Sequence, residues 1–311
     1  MAVFVFAESS RLYKHSWDSL LRIRHAVWCS AGRRNCCLQM ILKSTGPLIR
    51  YWIVLRFRRT SIDLLVWCGL HGMEVNAEKC KCISFFRTRA SVVYDYGLRD
   101  TSLERVTFIK DLGITFDQKL SFVQHTATTA AKAFALLGFL RRNTLSFEDP
   151  YALKTVFCSL VRSVLEYAVP VWAPYHSVHS ERLERIQKKF LRYALRRLPW
   201  QDPVRLPPYS ERCALLSMTS LSQRRTFLQR TFVYDILTNA VDCPQLLQRL
   251  NIYVPARRLR NQTMFWLPRS RTVFGENHPL FRCCEVFNAV SHLFDYHVTK
   301  SKFKCAIRDV T

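Results

Sequence analysis

Apolar and polar positions follow a strand-like pattern early in the chain and a helical period after it. Short runs rich in β-branched and aromatic residues predict strands at residues 82–86, 92–96, 105–109 and 112–116. Apolar residues three and four apart predict a short helix that ends at Gly69 or Gly72. Longer helices are expected beyond Ser121, at residues 122–142, 149–168, 179–198, 210–216, 220–240 and 281–294. The pattern therefore predicts an α+β fold that is mostly α-helical.

Changes in composition divide the chain into four segments. Residues 1–62 contain 11 Lys and Arg, but only Glu8 and Asp18 are acidic, and no convincing amphipathic repeat runs through them. An N-terminal segment that is rich in arginine and poor in acidic residues is typical of a mitochondrial transit peptide. We favour an unfolded basic arm, or translated sequence never selected as protein, and expect this segment to be disordered and unrelated to the rest. The other segments are 63–122, 123–260 and 261–311, the last a tail with a short helix.

The net charge narrows the choice of partner. The chain carries a formal charge of +24 and has a pI near 10.0, while a hydrophobic content of 49% argues against disorder. Such an excess indicates a polyanionic partner, and nucleic acid is favoured because binding phosphates with Lys and Arg releases counterions. An acidic membrane surface is the weaker alternative, because the basic residues are spread along the chain. No uncharged apolar run of 18 residues predicts a membrane span.

The helix near residues 180–198 has the most distinctive basic surface. Apolar residues such as Leu183, Ile186 and Phe190 recur at helical spacing and are expected to face a core. Basic residues fill most other positions, and a second set follows in the next long helix. For one helix alone, an ordinary solvated face is the better interpretation, but residues 181–230 contain 12 Lys and Arg against 4 Asp and Glu. The predicted nucleic-acid-binding residues are Arg182, Arg185, Lys188, Lys189, Arg192, Arg196, Arg197, Arg224 and Arg225.

The cysteines do not form a recognised framework. The 12 cysteines include no C-x-x-C pair and no finger-like Cys/His quartet. Cys68, His71, Cys80 and Cys82 are close enough in sequence to be considered as a metal cluster. We prefer reduced thiols in an intracellular chain, several of them buried, and predict no metal site. Neither nucleus nor cytoplasm is favoured as the location.

An ordered series of short motifs resembles one known family. The motifs include Met73-Glu-Val-Asn-Ala-Glu-Lys-Cys80, Ile109-Lys-Asp-Leu-Gly-Ile114, Leu165-Glu-Tyr167, Val171-Trp172, Ile186-Gln187, Leu206-Pro-Pro-Tyr209, Glu211-Arg-Cys213 and Arg224-Arg225. From about residue 63 to about residue 307, the chain resembles the C-terminal part of reverse transcriptases from non-LTR retrotransposons. It is most similar to the Jockey-like group of arthropods. Residues 1–60 carry no such resemblance.

This resemblance implies an RNA-templated DNA polymerase that uses magnesium and deoxynucleotides. The short strands would be part of a palm, and the helices would be a thumb and its extension, which clamp RNA or an RNA–DNA duplex. Lys79 would lie in a palm turn and, in an intact enzyme, would protonate the leaving pyrophosphate. The hairpin at 106–117 would be the primer grip, through Lys110, Leu112, Gly113 and Ile114. Without that context, Lys79 is an ordinary surface lysine and the hairpin is structural.

The sequence departs from the family where the catalytic carboxylates are expected. The family's Tyr/Phe-Ala-Asp-Asp strand would lie before Asp63, and the chain contains no adjacent pair of aspartates. Two-metal nucleotidyl transfer needs such carboxylates to hold its cations. We therefore expect a truncated polymerase with no catalytic residue, cofactor or small-molecule substrate, inactive alone but able to bind nucleic acid. The alternatives are a co-opted nucleic-acid-binding or interaction protein, and an enzyme completed by a partner that supplies the aspartates.

Overall fold

The computed structural model of the chain contains two units, Met1–Phe122 and Val123–Thr311. It describes residues 2–7, 66, 68–72, 76, 80–85, 95–98, 101–197, 207–254, 263–270 and 272–308. The described residues are mostly helical, with a few short strands, which confirms the predicted α+β, mostly α fold. The described strands all lie in the first unit, which ends at Phe122.

The described residues of the first unit form seven strands in three small sheets. They are β1 (Ala2–Ala7), β2 (Cys80–Phe85), β3 (Gly97–Leu98), β4 (Thr101–Ser102), β5 (Glu104–Arg105), β6 (Phe108–Asp111) and β7 (Ile114–Asp117). β2 lies between β1, which is antiparallel, and β5, which is parallel. β3 pairs with β4, and β6 pairs with β7, both antiparallel. Cys80 and Cys82 of β2 lie on the same face of the strand and are buried, which gives this sheet an apolar face.

One sequence expectation is corrected in this unit. Of residues 1–62, which were expected to be disordered and unrelated to the rest, only residues 2–7 are among the described residues, so that expectation stays a prediction. Ala2–Ala7 pairs with β2 along its whole length, from Ala2 opposite Phe85 to Ala7 opposite Cys80. Its β-branched and aromatic residues favour a strand. The predicted strand 105–109 is divided between β5 and β6. The last helical residue of the predicted short helix is Leu70, and Gly72 follows in a turn with a φ of 64°, a left-handed conformation that stops a helix.

The second unit is helical. Its helices are α1 (Val123–Asn143), α2 (Pro150–Phe157), α3 (Ser163–Glu166), α4 (Val169–Trp172), α5 (Ser177–Leu195), α6 (Tyr209–Leu215), α7 (Leu221–Leu237), α8 (Pro244–Leu247), α9 (Val273–Glu276), α10 (Pro279–Asn288) and α11 (Lys300–Arg308). A π-helical turn, Cys158–Arg162, joins α2 to α3, and a 3₁₀ turn, Ser291–Leu293, follows α10. No helix in these described stretches has the length and apolarity that crossing a membrane requires.

Capping residues explain where several of these helices begin. The Asp149 carboxylate accepts hydrogen bonds from the amides of Tyr151 and Ala152, and Pro150 occupies the first turn of α2. Ser220 and Gln223 form a capping box at the start of α7. These signals are local, which is why the predicted helices begin within a few residues of the observed ones.

The core of the second unit joins helices that are far apart in sequence. Phe157 of α2 stacks on Phe190 of α5, with ring centroids 4.0 Å apart. The last segment was expected to be a short, mixed tail, but α10 and α11 pack against α7 in one buried cluster. Phe287 and Phe303 are fully buried there. The described residues of this last segment therefore contribute apolar side chains to the core of the second unit.

Candidate nucleic-acid interface

Helix α5 divides its residues between a core face and a basic face. Leu183, Ile186 and Phe190 are buried, as their spacing predicts. The predicted basic residues Arg182, Arg185, Lys189, Arg192 and Arg196 are exposed. Lys188 and Arg197 are half-buried: Lys188 Nζ lies 5.2 Å from the Tyr209 ring centroid, and the Arg197 guanidinium lies 5.4 Å from that of Tyr193.

A groove runs between α1 and α5. Its volume is about 230 Å³, and its described lining is Phe134, Leu137, Gly138, Arg141, Lys189, Arg192, Tyr193 and Arg196. Four of these residues are basic, and none of the described lining residues is acidic. Cations concentrated in a concave surface attract a polyanion more strongly than the same charges spread over a flat one. We call this groove, defined by these eight residues, the basic groove.

Aromatic rings hold the cations of the basic groove in place. Lys189 Nζ lies 4.2 Å from the Phe134 ring centroid, and the Arg141 guanidinium lies 5.5 Å from the Tyr193 ring centroid. The Tyr193 hydroxyl donates to the Thr144 carbonyl at 2.9 Å, which fixes that ring against the end of α1. These cation–π contacts orient the charged groups and leave their N–H donors available for phosphate.

Phe134 and Arg141 lie in this groove although the sequence analysis did not assign them a role. Both are on α1, and its 21 residues include no acid and end with Arg141 and Arg142. The lack of acidic residues in α1 could have indicated a basic surface from the sequence alone. That this surface belongs to the basic groove is known only from the packing of α1 next to the basic face of α5.

Two predicted binding residues occupy a different environment. Arg224 donates to the Glu166 carboxylate from Nε at 2.8 Å and from Nη2 at 2.7 Å. Arg225 is only 7% exposed, its Nη2 donates to Ser180 Oγ at 2.5 Å, and burial lowers the pKa of its guanidinium. The structure therefore places Arg224 and Arg225 in internal contacts and not in the basic groove, and we leave them out of the candidate interface.

A buried polar network fixes the inner face of α5. Glu184 accepts hydrogen bonds from the Tyr209 hydroxyl and from the Leu221 amide, the latter at 2.9 Å. Gln187 Nε2 donates to the Tyr209 hydroxyl at 3.0 Å and to the Thr219 carbonyl at 2.8 Å. Burial, followed by the hydrogen bond to Glu184, raises the pKa of Tyr209, so this phenol stays protonated. Gln187 and Tyr209, which belong to two of the motifs quoted for the family resemblance, are thus hydrogen-bonded to each other.

The hairpin proposed as a primer grip forms between β6 and β7. Asp111 pairs with Ile114, so Leu112 and Gly113 make a two-residue turn with φ angles of 46° and 82°. Positive φ at both positions is characteristic of the type I′ turn, which suits the twist of a hairpin. Leu112 is 53% exposed at the tip and Lys110 is exposed, whereas Ile114 is buried. Lys79 lies outside the described residues.

The cysteines that the structure describes in the first unit are buried thiols. Cys68, Cys80 and Cys82 are free and buried, and burial raises the pKa of each. A raised pKa keeps a thiol in its protonated, less reactive form. Within the described part of the chain, no group of three or more His, Cys, Asp or Glu residues is arranged to hold a metal ion.

Comparison with known proteins gives one informative similarity. The chain is 25% identical over 133 residues to a probable RNA-directed DNA polymerase from transposon BS of Drosophila melanogaster. The chain is related to a transposon RNA-directed DNA polymerase. The match covers 42% of this chain but spans only 15% of the length of that protein. No protein-family model and no solved structure matches the chain significantly.

Proposed function

We propose that this chain is a truncated reverse transcriptase of a non-LTR, Jockey-like retrotransposon that binds nucleic acid without polymerising it. The similarity to a transposon RNA-directed DNA polymerase supports the origin. The ordered motifs from residue 73 onward support the C-terminal region of such an enzyme as the matching part. The partner that we propose is RNA or an RNA–DNA duplex.

The basic groove is the observation on which the binding proposal rests. Arg141, Lys189, Arg192 and Arg196 line it without a neutralising acid among its described residues. Phosphate contacts by Lys and Arg supply most of the affinity of non-specific nucleic-acid binding, and each releases counterions. Contacts of this kind do not read base identity, so binding with little sequence preference is expected.

The proposed lack of polymerase activity is based on the sequence of the chain. No two aspartates are adjacent anywhere in its 311 residues. A two-metal transfer loses its main source of transition-state stabilisation when the carboxylates that hold the cations are missing. The proposed function is therefore nucleic-acid binding without catalysis, and no cofactor is assigned to this chain.

Two measurements on the full chain test the two halves of this proposal. Fluorescence anisotropy with a labelled RNA–DNA duplex should show binding at low salt that weakens linearly on a plot of log K against log salt concentration. No binding at low salt would refute the interface. Primer extension with magnesium and deoxynucleotides should give no product above a protein-free control, and clear incorporation would refute the inactive assignment.

A further inference from the structure

An aromatic side chain is exposed inside the basic groove. Phe134 is 48% exposed although it lies on a helix whose other face is buried, and it lies among basic residues. Phosphate binding needs cations, and a phenyl ring contributes to it only by holding Lys189 in place. Aromatic rings interleaved with cations are instead typical of surfaces that bind single-stranded nucleic acid, where unpaired bases stack on the rings.

We propose that the basic groove binds one unpaired base of a single-stranded RNA or DNA segment, stacked against Phe134. Arg141, Lys189, Arg192 and Arg196 would contact the phosphates on either side of that base. This inference rests on the proposed function, because it specifies which form of nucleic acid the same surface prefers. In a duplex the base faces are stacked on one another, so they cannot reach Phe134.

The size of the groove agrees with a single base. Its volume of about 230 Å³ is below the roughly 300–1,000 Å³ that is typical of pockets for drug-sized ligands. The groove therefore suits one flat ring system, while the attached sugar and phosphates lie outside it. The four surrounding cations are well placed to meet those phosphates.

Lys189 already lies against the Phe134 ring, so a base must compete with it. The ammonium is 4.2 Å from the ring centroid, and Lys189 is exposed. An exposed cation–π contact is weaker than base–aromatic stacking. The exchange is favourable because the displaced ammonium remains charged and gains a phosphate partner on its flexible stem.

Gly138 offers a way to close the groove without disturbing the helix. A Cβ atom at this position would meet only the Arg142 guanidinium, at 3.5 Å, which is an ordinary contact. Replacing glycine by a good helix former within α1 also removes an entropic cost to the helix. Gly138→Met should therefore fold at least as well as the wild type while its side chain occupies groove space.

The test compares single-stranded and duplex binding across matched variants of the full chain. The probes are a labelled oligo(dT) strand and a labelled blunt RNA–DNA duplex, at one salt concentration. Phe134→Leu and Gly138→Met should weaken oligo(dT) binding about 5- to 100-fold, and by a clearly larger factor than they weaken duplex binding. Phe139→Leu is the control, because Phe139 is also on α1 and 50% exposed but does not line the groove.

The possible outcomes distinguish base stacking on Phe134 from the proposed nucleic-acid binding as such. Oligo(dT) binding that is unchanged in Phe134→Leu, or equally weakened in Phe139→Leu, would overturn the base-stacking inference while leaving phosphate binding intact. An equal loss of single-strand and duplex binding in Phe134→Leu would also overturn it. Failure of the wild-type chain to bind either probe would refute the proposed function itself.

Discussion

The carboxylate of Glu166 and the guanidinium of Arg224 form two parallel hydrogen bonds, at 2.8 and 2.7 Å, across 58 residues of sequence. The pair joins α3 to α7 and is largely buried. Arg162 Nε adds a second ion pair to the same carboxylate at 3.5 Å. Two motifs quoted for the family resemblance, Leu165-Glu-Tyr167 and Arg224-Arg225, therefore contain the two partners of one structural contact.

Breaking this pair should destabilise the second unit without affecting nucleic-acid binding. Glu166→Gln leaves Arg224 in a largely buried position without its charged partner, and we expect a loss of about 3 kcal/mol in the free energy of unfolding. Urea denaturation followed by circular dichroism measures it. The double variant Glu166→Gln/Arg224→Gln should lose less than the sum of the single losses. Additive losses would contradict a direct coupling between the two residues.

The buried network around Tyr209 gives a second stability prediction. Tyr209→Phe removes the hydroxyl that donates to Glu184 and accepts from Gln187, so both lose a partner inside the protein. We expect a loss of about 1–3 kcal/mol in the free energy of unfolding. Tyr151→Phe is the control, because the Tyr151 ring is 53% exposed. Equal stability of Tyr209→Phe and wild type would show that the network contributes nothing.

The hairpin turn carries backbone strain that a substitution should relieve. Leu112 adopts a φ of 46°, a left-handed conformation that costs an ordinary residue roughly 1–2 kcal/mol. Asparagine tolerates this region, so Leu112→Asn should slow amide hydrogen exchange in β6 and β7, corresponding to a gain of about 1 kcal/mol. Thr115→Asn, placed in the strand, should not give this gain. Faster exchange in Leu112→Asn would contradict the turn assignment.

His278 should make the second unit sensitive to acid. Burial, with smaller effects of Arg249 and Arg282, lowers the pKa of His278 below its ordinary value of 6.5. As the pH falls below 6.5, His278 therefore binds a proton in the unfolded chain before it does so in the folded one. The free energy of unfolding consequently decreases from pH 6.5 down to the lower pKa of His278 in the folded state. His278→Gln should reduce the stability lost between pH 7.5 and 5.5 in urea denaturation. An identical loss in both proteins would contradict this origin.

Local patterns were sufficient to predict most of the helices. Helix α5, predicted at 179–198, is found at Ser177–Leu195, because its apolar positions recur at the helical period and face the core. The tight turn at Gly113 was likewise predicted from one glycine between two strand-like runs. Features of this kind depend on residues that are close in sequence, so one chain contains the necessary information.

Long-range contacts could not be predicted in the same way. The pairing of Ala2–Ala7 with Cys80–Phe85 joins residues that are more than 70 positions apart, and alternation within one strand does not identify its partner. Arg224 and Arg225 were assigned to the interface because basic residues far outnumber acidic ones over residues 181–230. Only the approach of Glu166 and Ser180 shows that they lie inside. For the same reason the basic groove required the packing of α1 on α5.

The central claim is that the basic groove is the nucleic-acid-binding surface. The most direct test compares the salt dependence of RNA–DNA duplex binding for the wild type, Lys189→Gln/Arg192→Gln/Arg196→Gln and a control of equal charge, Arg269→Gln/Lys302→Gln/Arg308→Gln. The control residues are exposed and do not line the groove. In the groove variant, the slope of log K against log salt concentration should become shallower by about 2–3, since each lost phosphate contact contributes about 0.9 to it. Its affinity for the duplex should fall at least about 10-fold. The control should keep the wild-type slope, and equal losses in the two triple variants would contradict the account.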